Sequence, residues 1–160
     1  NLVLYPLLRR IGIEPTPLRR MGTGIALAGV ASIMAGLIQL SLDDGDQTTL
    51  AWQIAPYIVL TLGEVLLSAT ALEFAYSQAS RSMKGVIMAF WYLAVTFGNL
   101  WVLLANVAQH HPAVVDGLAT AGYGQNACFI FFFAGFAFVA ALGFAAYART
   151  YPMQDNYRAV

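Results

Sequence analysis

Three stretches of this chain run for more than 20 residues without a charged side chain: Met21 to Leu42, Gly85 to Gln109 and Ala127 to Ala148. A helix of about 20 mostly apolar residues crosses the ~30 Å hydrocarbon core of a bilayer, so each stretch reads as a membrane span. A fourth, Ile54 to Ala79, is long enough but contains Glu64 and Glu73. Its ten Ile, Leu, Val and Phe residues favour insertion by roughly −0.3 to −0.6 kcal/mol each, against roughly +2.5 kcal/mol or more for each acid near the centre. The two contributions nearly cancel, so the helix inserts only where neighbours or water shelter its acids. The expected fold is all-α and polytopic, with four transmembrane helices.

Charge placement gives the spans a polarity. All eight Lys and Arg residues fall in 1–20, 80–84 and the tail over 149–160, whereas the loops over 43–53 and 110–126 carry Asp43, Asp44, Asp46 and Asp116 and no basic residue. The positive-inside rule assigns the basic side, with both ends of the chain, to the cytoplasm. The start at Asn1, directly followed by the apolar Leu2 to Leu8, reads as the end of a helix begun upstream, followed by a stiff linker around Glu14, Pro15, Thr16 and Pro17. The chain is therefore expected to be part of a longer protein.

Composition removes whole function classes. With 59% hydrophobic and 10% charged residues, the chain is far from a soluble domain, in which roughly a quarter of residues are charged. Balanced charges without a basic patch exclude nucleic-acid binding. There is no H-E-x-x-H, G-x-S-x-G or phosphate-loop motif, so neither enzyme chemistry nor a cofactor is expected. His110 and His111 are adjacent and point to different faces, which makes a poor metal site. Cys128, the single cysteine, opens a Phe-rich run and suits a small apolar role. That run, Phe129 to Phe138, reads as lipid-facing or packing surface. The glycine- and alanine-rich first span favours close helix approach. Together these features suggest an order of outer, inner, inner, outer.

The polar residues sit in the middle spans. Glu64 lies ~15 Å into its helix, about mid-membrane, where an acid normally faces a bundle interior or a water-filled pathway. Ser68 at i+4 and Thr61 at i−3 share its face; back-bonding to their own helix is the competing role for such hydroxyls. Glu73 is half a turn away, near the cytoplasmic side, as a gate or interfacial ion-pair partner. Trp91, ~9 Å into the third span, lies below the interfacial belt and either packs on a helix or lines an apolar pocket. Asn99 is placed to bond across helices.

The segments Gly63-Glu64, Leu72-Glu73-Phe74-Ala75-Tyr76-Ser77-Gln78-Ala79 and Ser82-Met83-Lys84-Gly85, with Ala89, Trp91, Gly98 and Asn99 beyond, closely resemble the signature of the proton-dependent oligopeptide transporter (POT, or PTR) family of the major facilitator superfamily. Pro15 to Met21 also resembles the family's linker before its ninth helix. The resemblance implies that the four spans are helices 9–12 of a twelve-helix fold in a proton-coupled symporter for di- and tripeptides in the plasma membrane. Its partners would be the peptide, protons, the bilayer and the preceding helices. It implies that Glu64 binds the peptide ammonium, that Ser68 and Trp91 line the same pocket, and that Leu72 belongs to the cytoplasmic gate. Ala71, Ser80 and Gly85 depart from the family pattern, which has Gly, Pro and often Ser there. A four-helix scaffold without transport activity, or a carrier of another solute in the family, is the alternative expectation.

Overall fold

The structure, a computed structural model, describes residues 16–45, 49–121 and 124–151. Four long helices are joined by short connections: α1 (Pro17–Asp43), a 3-10 turn (Leu50–Gln53), α2 (Ile54–Gln78), a second 3-10 turn (Arg81–Met83), α3 (Lys84–Gln109), a short α4 (Pro112–Ala121) and α5 (Gln125–Thr150). Among the described residues there is no strand. The four long helices are each apolar enough to cross a membrane. The helix end and most of the linker expected over 1–20, and the tail beyond residue 151, lie outside the described residues.

Local chemistry sets the helix limits. α1 begins at Pro17 because Thr16 caps it, its side chain accepting from the Arg19 amide at 3.4 Å, and a proline at the first position loses no bond. The span expected from Met21 is thus helical one turn earlier. It ends where Gly45 takes a φ of +87°, with the amides of Asp44 and Gly45 donating to Leu40 and Leu42 carbonyls. The loop expected over 110–126 contains α4, whose first residue is Pro112.

The helices alternate in direction, so one end of the molecule carries Arg19, Arg20, Lys84 and Arg149 and the other Asp43, Asp44 and Asp116. At the basic end the Phe74 and Tyr151 rings meet edge-on, 5.7 Å apart, and the Lys84 ammonium lies 5.7 Å from the Tyr76 ring centre. At the acidic end Gln125 Nε2 donates to the Gln109 carbonyl at 2.8 Å, and the Asp43 carboxylate occupies the space beside Gly124.

α1 is the hub, packed on α2 along one side and α5 along another. On α2 the approach is backbone to backbone: a Cβ on Gly24 would lie 2.7 Å from the Gly63 carbonyl oxygen, and one on Gly63 2.8 Å from that of Gly24. On α5, rings fill the gaps left by glycines seven residues apart. Phe144 lies over Gly22, Phe138 over Gly29 and Phe131 over Gly36. Part of the Phe-rich run therefore packs inward, while Phe132 and Phe136 remain exposed. α3 is different. Of its residues only Gln109 is buried, and it touches α2 near the tight turn and α5 through a Trp101–Phe136 ring stack at 5.5 Å.

Candidate functional site

The Gly24–Gly63 crossing positions the candidate site. Because Gly63 is pressed against α1, its neighbour Glu64 is turned about 100° around the helix, off the packed side. Glu64 and Ser68 are exposed there, one turn apart. Among the described residues neither hydroxyl nor carboxylate has a hydrogen-bond or ion-pair partner, and no Lys or Arg occurs within the spanning part of any helix. A carboxylate at this depth is thus available to a cation brought from outside the four helices.

The other expected residues fall into place unevenly. Thr61 shares the face of Glu64, but its hydroxyl donates to the Tyr57 carbonyl of its own helix at 2.9 Å, which leaves the carboxylate and Ser68 as the polar groups turned outward. Leu72 is half-buried two turns beyond Glu64 on the same flank. Glu73 is exposed on the opposite flank and has no ion pair among the described residues. Trp91 is half-buried on α3 and Asn99 exposed. No bond or ring contact joins Trp91 to Glu64 or Ser68 among the described residues. The geometry brings Glu64 and Ser68 together and leaves Trp91 on a separate helix.

A feature absent from the sequence reading adjoins the site. A cavity of about 470 Å³ opens between α1, α2 and α5 toward the acidic end, lined by Ser32 and Gln39 of α1, Tyr57 and Leu60 of α2, and Phe133 of α5. Leu60 and Tyr57 stand one and two turns before Glu64, at the spacing that keeps residues on one helix face. That spacing was the available signal. Ser32 offers little to it, since its hydroxyl donates to the Ala28 carbonyl at 2.9 Å. Gln39 is engaged with the Asp43 carboxylate at 2.9 Å.

No group of three or more His, Cys, Asp or Glu side chains close enough to hold a metal exists among the described residues. His110 Nδ1 lies 2.8 Å from the Asn106 carbonyl, and His111 Nδ1 accepts from the Ala113 amide at 3.4 Å. Cys128 is a half-buried free thiol.

Comparison with known proteins gives this architecture a family. The family model described as the POT family matches residues 1–120. Peptide transporter 3 of Caenorhabditis elegans is 46% identical over 71 residues, 43% of this chain and 10% of its own length. Solute carrier family 15 member 2 of Oryctolagus cuniculus is 45% identical over 80 residues, covering 49% of this chain and 11% of the relative. An auto-inhibited POT family peptide transporter of known crystal structure superposes with a TM-score of 0.94 and 61% identity, over 100% of this chain and 31% of its own. The POT family transporter PepTSo gives a TM-score of 0.87 at 56% identity, covering 96% and 30%. The chain thus spans about a tenth of the curated relatives and under a third of the solved ones. Members of this family are transporters rather than enzymes. The chain belongs to the POT family, and its four long helices form part of a major facilitator fold.

Proposed function

We propose that the chain forms one wall of the substrate cavity in a proton-coupled symporter for di- and tripeptides, with Glu64 receiving the peptide's α-ammonium. The observation that carries this reading is a mid-span carboxylate turned off the packed face by the Gly24–Gly63 crossing, with no Lys or Arg at its depth among the described residues. A peptide ammonium entering the membrane must shed water, and an unpaired cation there is costly. A carboxylate at the same depth offsets that cost with a charge-assisted hydrogen bond. An anionic solute such as nitrate would be repelled by an ionised Glu64. Ser68 supplies a hydroxyl to the same pocket and Trp91 an apolar wall. Leu72, Glu73 and Asn99 act in gating or in packing between helices.

Proton coupling rests on kinship with the family, and the peptide class on the printed names of the relatives. The pathway also needs helices outside the four described here, since such carriers transport at the interface between structural repeats. The basic end faces the cytoplasm and the acidic end the outside of a plasma membrane, on the strength of the charge segregation.

The test is uptake by the full-length protein in cells, with surface expression measured for each variant. Glu64→Gln is expected to reduce uptake of free-amine dipeptides about tenfold or more, taking ~1.5–3 kcal/mol for a hydrogen bond to a charged group. N-acetylated dipeptides, which bring no cation, should compete almost as well with the variant as with the wild type. Equal losses for both peptides would reassign Glu64 to folding or proton movement.

A further inference from the structure

At the basic end, a ring bridges α2 and α5. Each of these helices packs on α1, and toward the acidic end a cavity of about 470 Å³ opens between them and α1, with Tyr57 and Leu60 on one side and Phe133 on the other. At the opposite end the chain leaves α5 at Tyr151, which is extended at φ −74° and ψ 118°. Pro152 follows it, and the residue before a proline is steered out of the helical region. Tyr151 is half-buried. Its ring meets the Phe74 ring of α2 edge-on at 5.7 Å and the Tyr147 ring of α5 at 5.8 Å, both within the range in which aromatic pairs attract. Phe74 comes eleven residues after Gly63, three turns on and on the same side of α2. Leu72, nine residues after Gly63, lies on the opposite side. Tyr76 stands within about 40° of Leu72, and the Lys84 ammonium of α3 lies 5.7 Å from its ring centre. The last turns of α2 are therefore held from behind by the end of α5 and tied in front to α3.

We propose that Tyr151 is a positioning residue for the cytoplasmic gate: through Phe74 it holds the end of α2 against α5 and so keeps Leu72 drawn back from the pathway. The inference rests on the gate role proposed above for Leu72; the contact itself does not. Because Phe74 and Leu72 lie on opposite sides, α2 advances Leu72 only by carrying Phe74 away from Tyr151. The Phe131, Phe138 and Phe144 rings seat α5 on α1, so α5 offers a fixed surface for the contact. α3 buries only Gln109 and is free to travel with α2. Loss of the ring pair then shifts the population toward the closed cytoplasmic gate. In alternating access that is the state open to external solute, and apparent affinity rises with the population of the binding-competent state. A tyrosine near the membrane surface is otherwise an interfacial anchor, and an anchor predicts no such gain.

The test uses the full-length transporter with its own cysteines replaced and nitroxide labels on Ser80→Cys and Arg149→Cys, both exposed positions. Double electron–electron resonance in lipid nanodiscs reads the distance between the ends of α2 and α5. Tyr151→Ala should at least double the longer-distance population. Tyr151→Phe, which keeps the ring, should not, and Phe74→Leu should repeat the effect from the other side of the contact. This measurement needs no solute, so it stands whatever the protein carries. In cells, with surface expression measured, Tyr151→Ala should lower the half-saturating concentration of external dialanine about two- to tenfold, the population shift expected from one aromatic pair, at reduced maximal uptake. Unchanged distances in both Tyr151→Ala and Phe74→Leu would overturn the proposal and leave Tyr151 as an interfacial anchor, as would reduced uptake with neither change. A longer distance with an unchanged half-saturating concentration would keep the contact and remove the gate role from Leu72.

Discussion

α1 and α3 have nearly the same length and similar apolar character, yet one is the best-packed helix of the chain and the other the barest. Beyond Leu18 in its first turn, α1 buries Gly24, Gly29, Ala31 and Gly36, and none of these four has a side chain beyond Cβ. Small residues let a backbone or a ring approach closely, and in lipid such packing replaces the hydrophobic driving force available in water. α3 has the opposite composition where α1 has glycine: Phe90, Leu93, Val95, Phe97, Leu103 and Leu104 stand out into space. Bulky apolar groups in that setting contribute little until something packs against them. The difference separates a scaffold that assembles from its own residues from a helix whose surroundings come from elsewhere, whether lipid, water or further protein.

The largest effect expected from breaking this contrast is at the glycine crossing. Gly24→Ala or Gly63→Ala places a Cβ under 3 Å from a carbonyl oxygen of the facing backbone, and backbone cannot give way as a side chain tip can. Overpacking without relief costs roughly 3 kcal/mol. Purified full-length protein carrying either change should melt several degrees lower and elute partly as aggregate. Unchanged melting would show that α1 and α2 are further apart than described. Because Glu64 follows Gly63, the same change should also lower uptake of free-amine peptides in whatever protein survives.

A smaller effect is expected at the α1–α5 seam. A Cβ on Gly36 would sit 2.9 Å from Phe131, and one on Gly29 3.0 Å from Phe138. Here the neighbour is a ring at the end of a side chain. Gly36→Ala should therefore cost about 1 kcal/mol, and Phe131→Leu in the same protein should recover part of the loss. If the two losses simply add in the double change, ring and glycine are not in contact.

Much of this contrast could be read beforehand, and the unread parts have physical causes. The four helices follow from uninterrupted apolar runs, which length alone converts into spans. The glycines of α1 marked it as a surface for close approach, but sequence does not say which partner faces which glycine. Pairing Gly24 with Gly63 is a property of two helices and their crossing. Placing α1 on the outside was natural for a helix with so few polar groups; within these four helices it is the centre, with an exposed flank formed by Val30, Ile33 and Leu37. α4 was hidden inside a loop, although Pro112 at its start and Val114, Val115 and Leu118 at helical spacing carried the signal. Glu64 was legible from depth alone, since an acid in a span demands a reason. Thr61 was not: hydroxyls in apolar helices either turn outward or bond back, and only geometry decides between them.

The smallest effect isolates what glycine does where no helix needs it. Gly135 and Gly143 on α5 have nothing within 4 Å of the position a Cβ would take. In water, alanine is favoured over glycine within a helix by roughly 1 kcal/mol, and the same preference should persist, weakened, in a bilayer. Gly135→Ala is thus expected to leave melting unchanged or raise it slightly, with uptake unaffected. Set beside Gly24→Ala, it compares one chemical change at two sites that differ only in what faces them. A clear loss at Gly135 would mean that a further helix packs on this flank of α5. The bareness of a helix in these four would then predict protein contact rather than lipid.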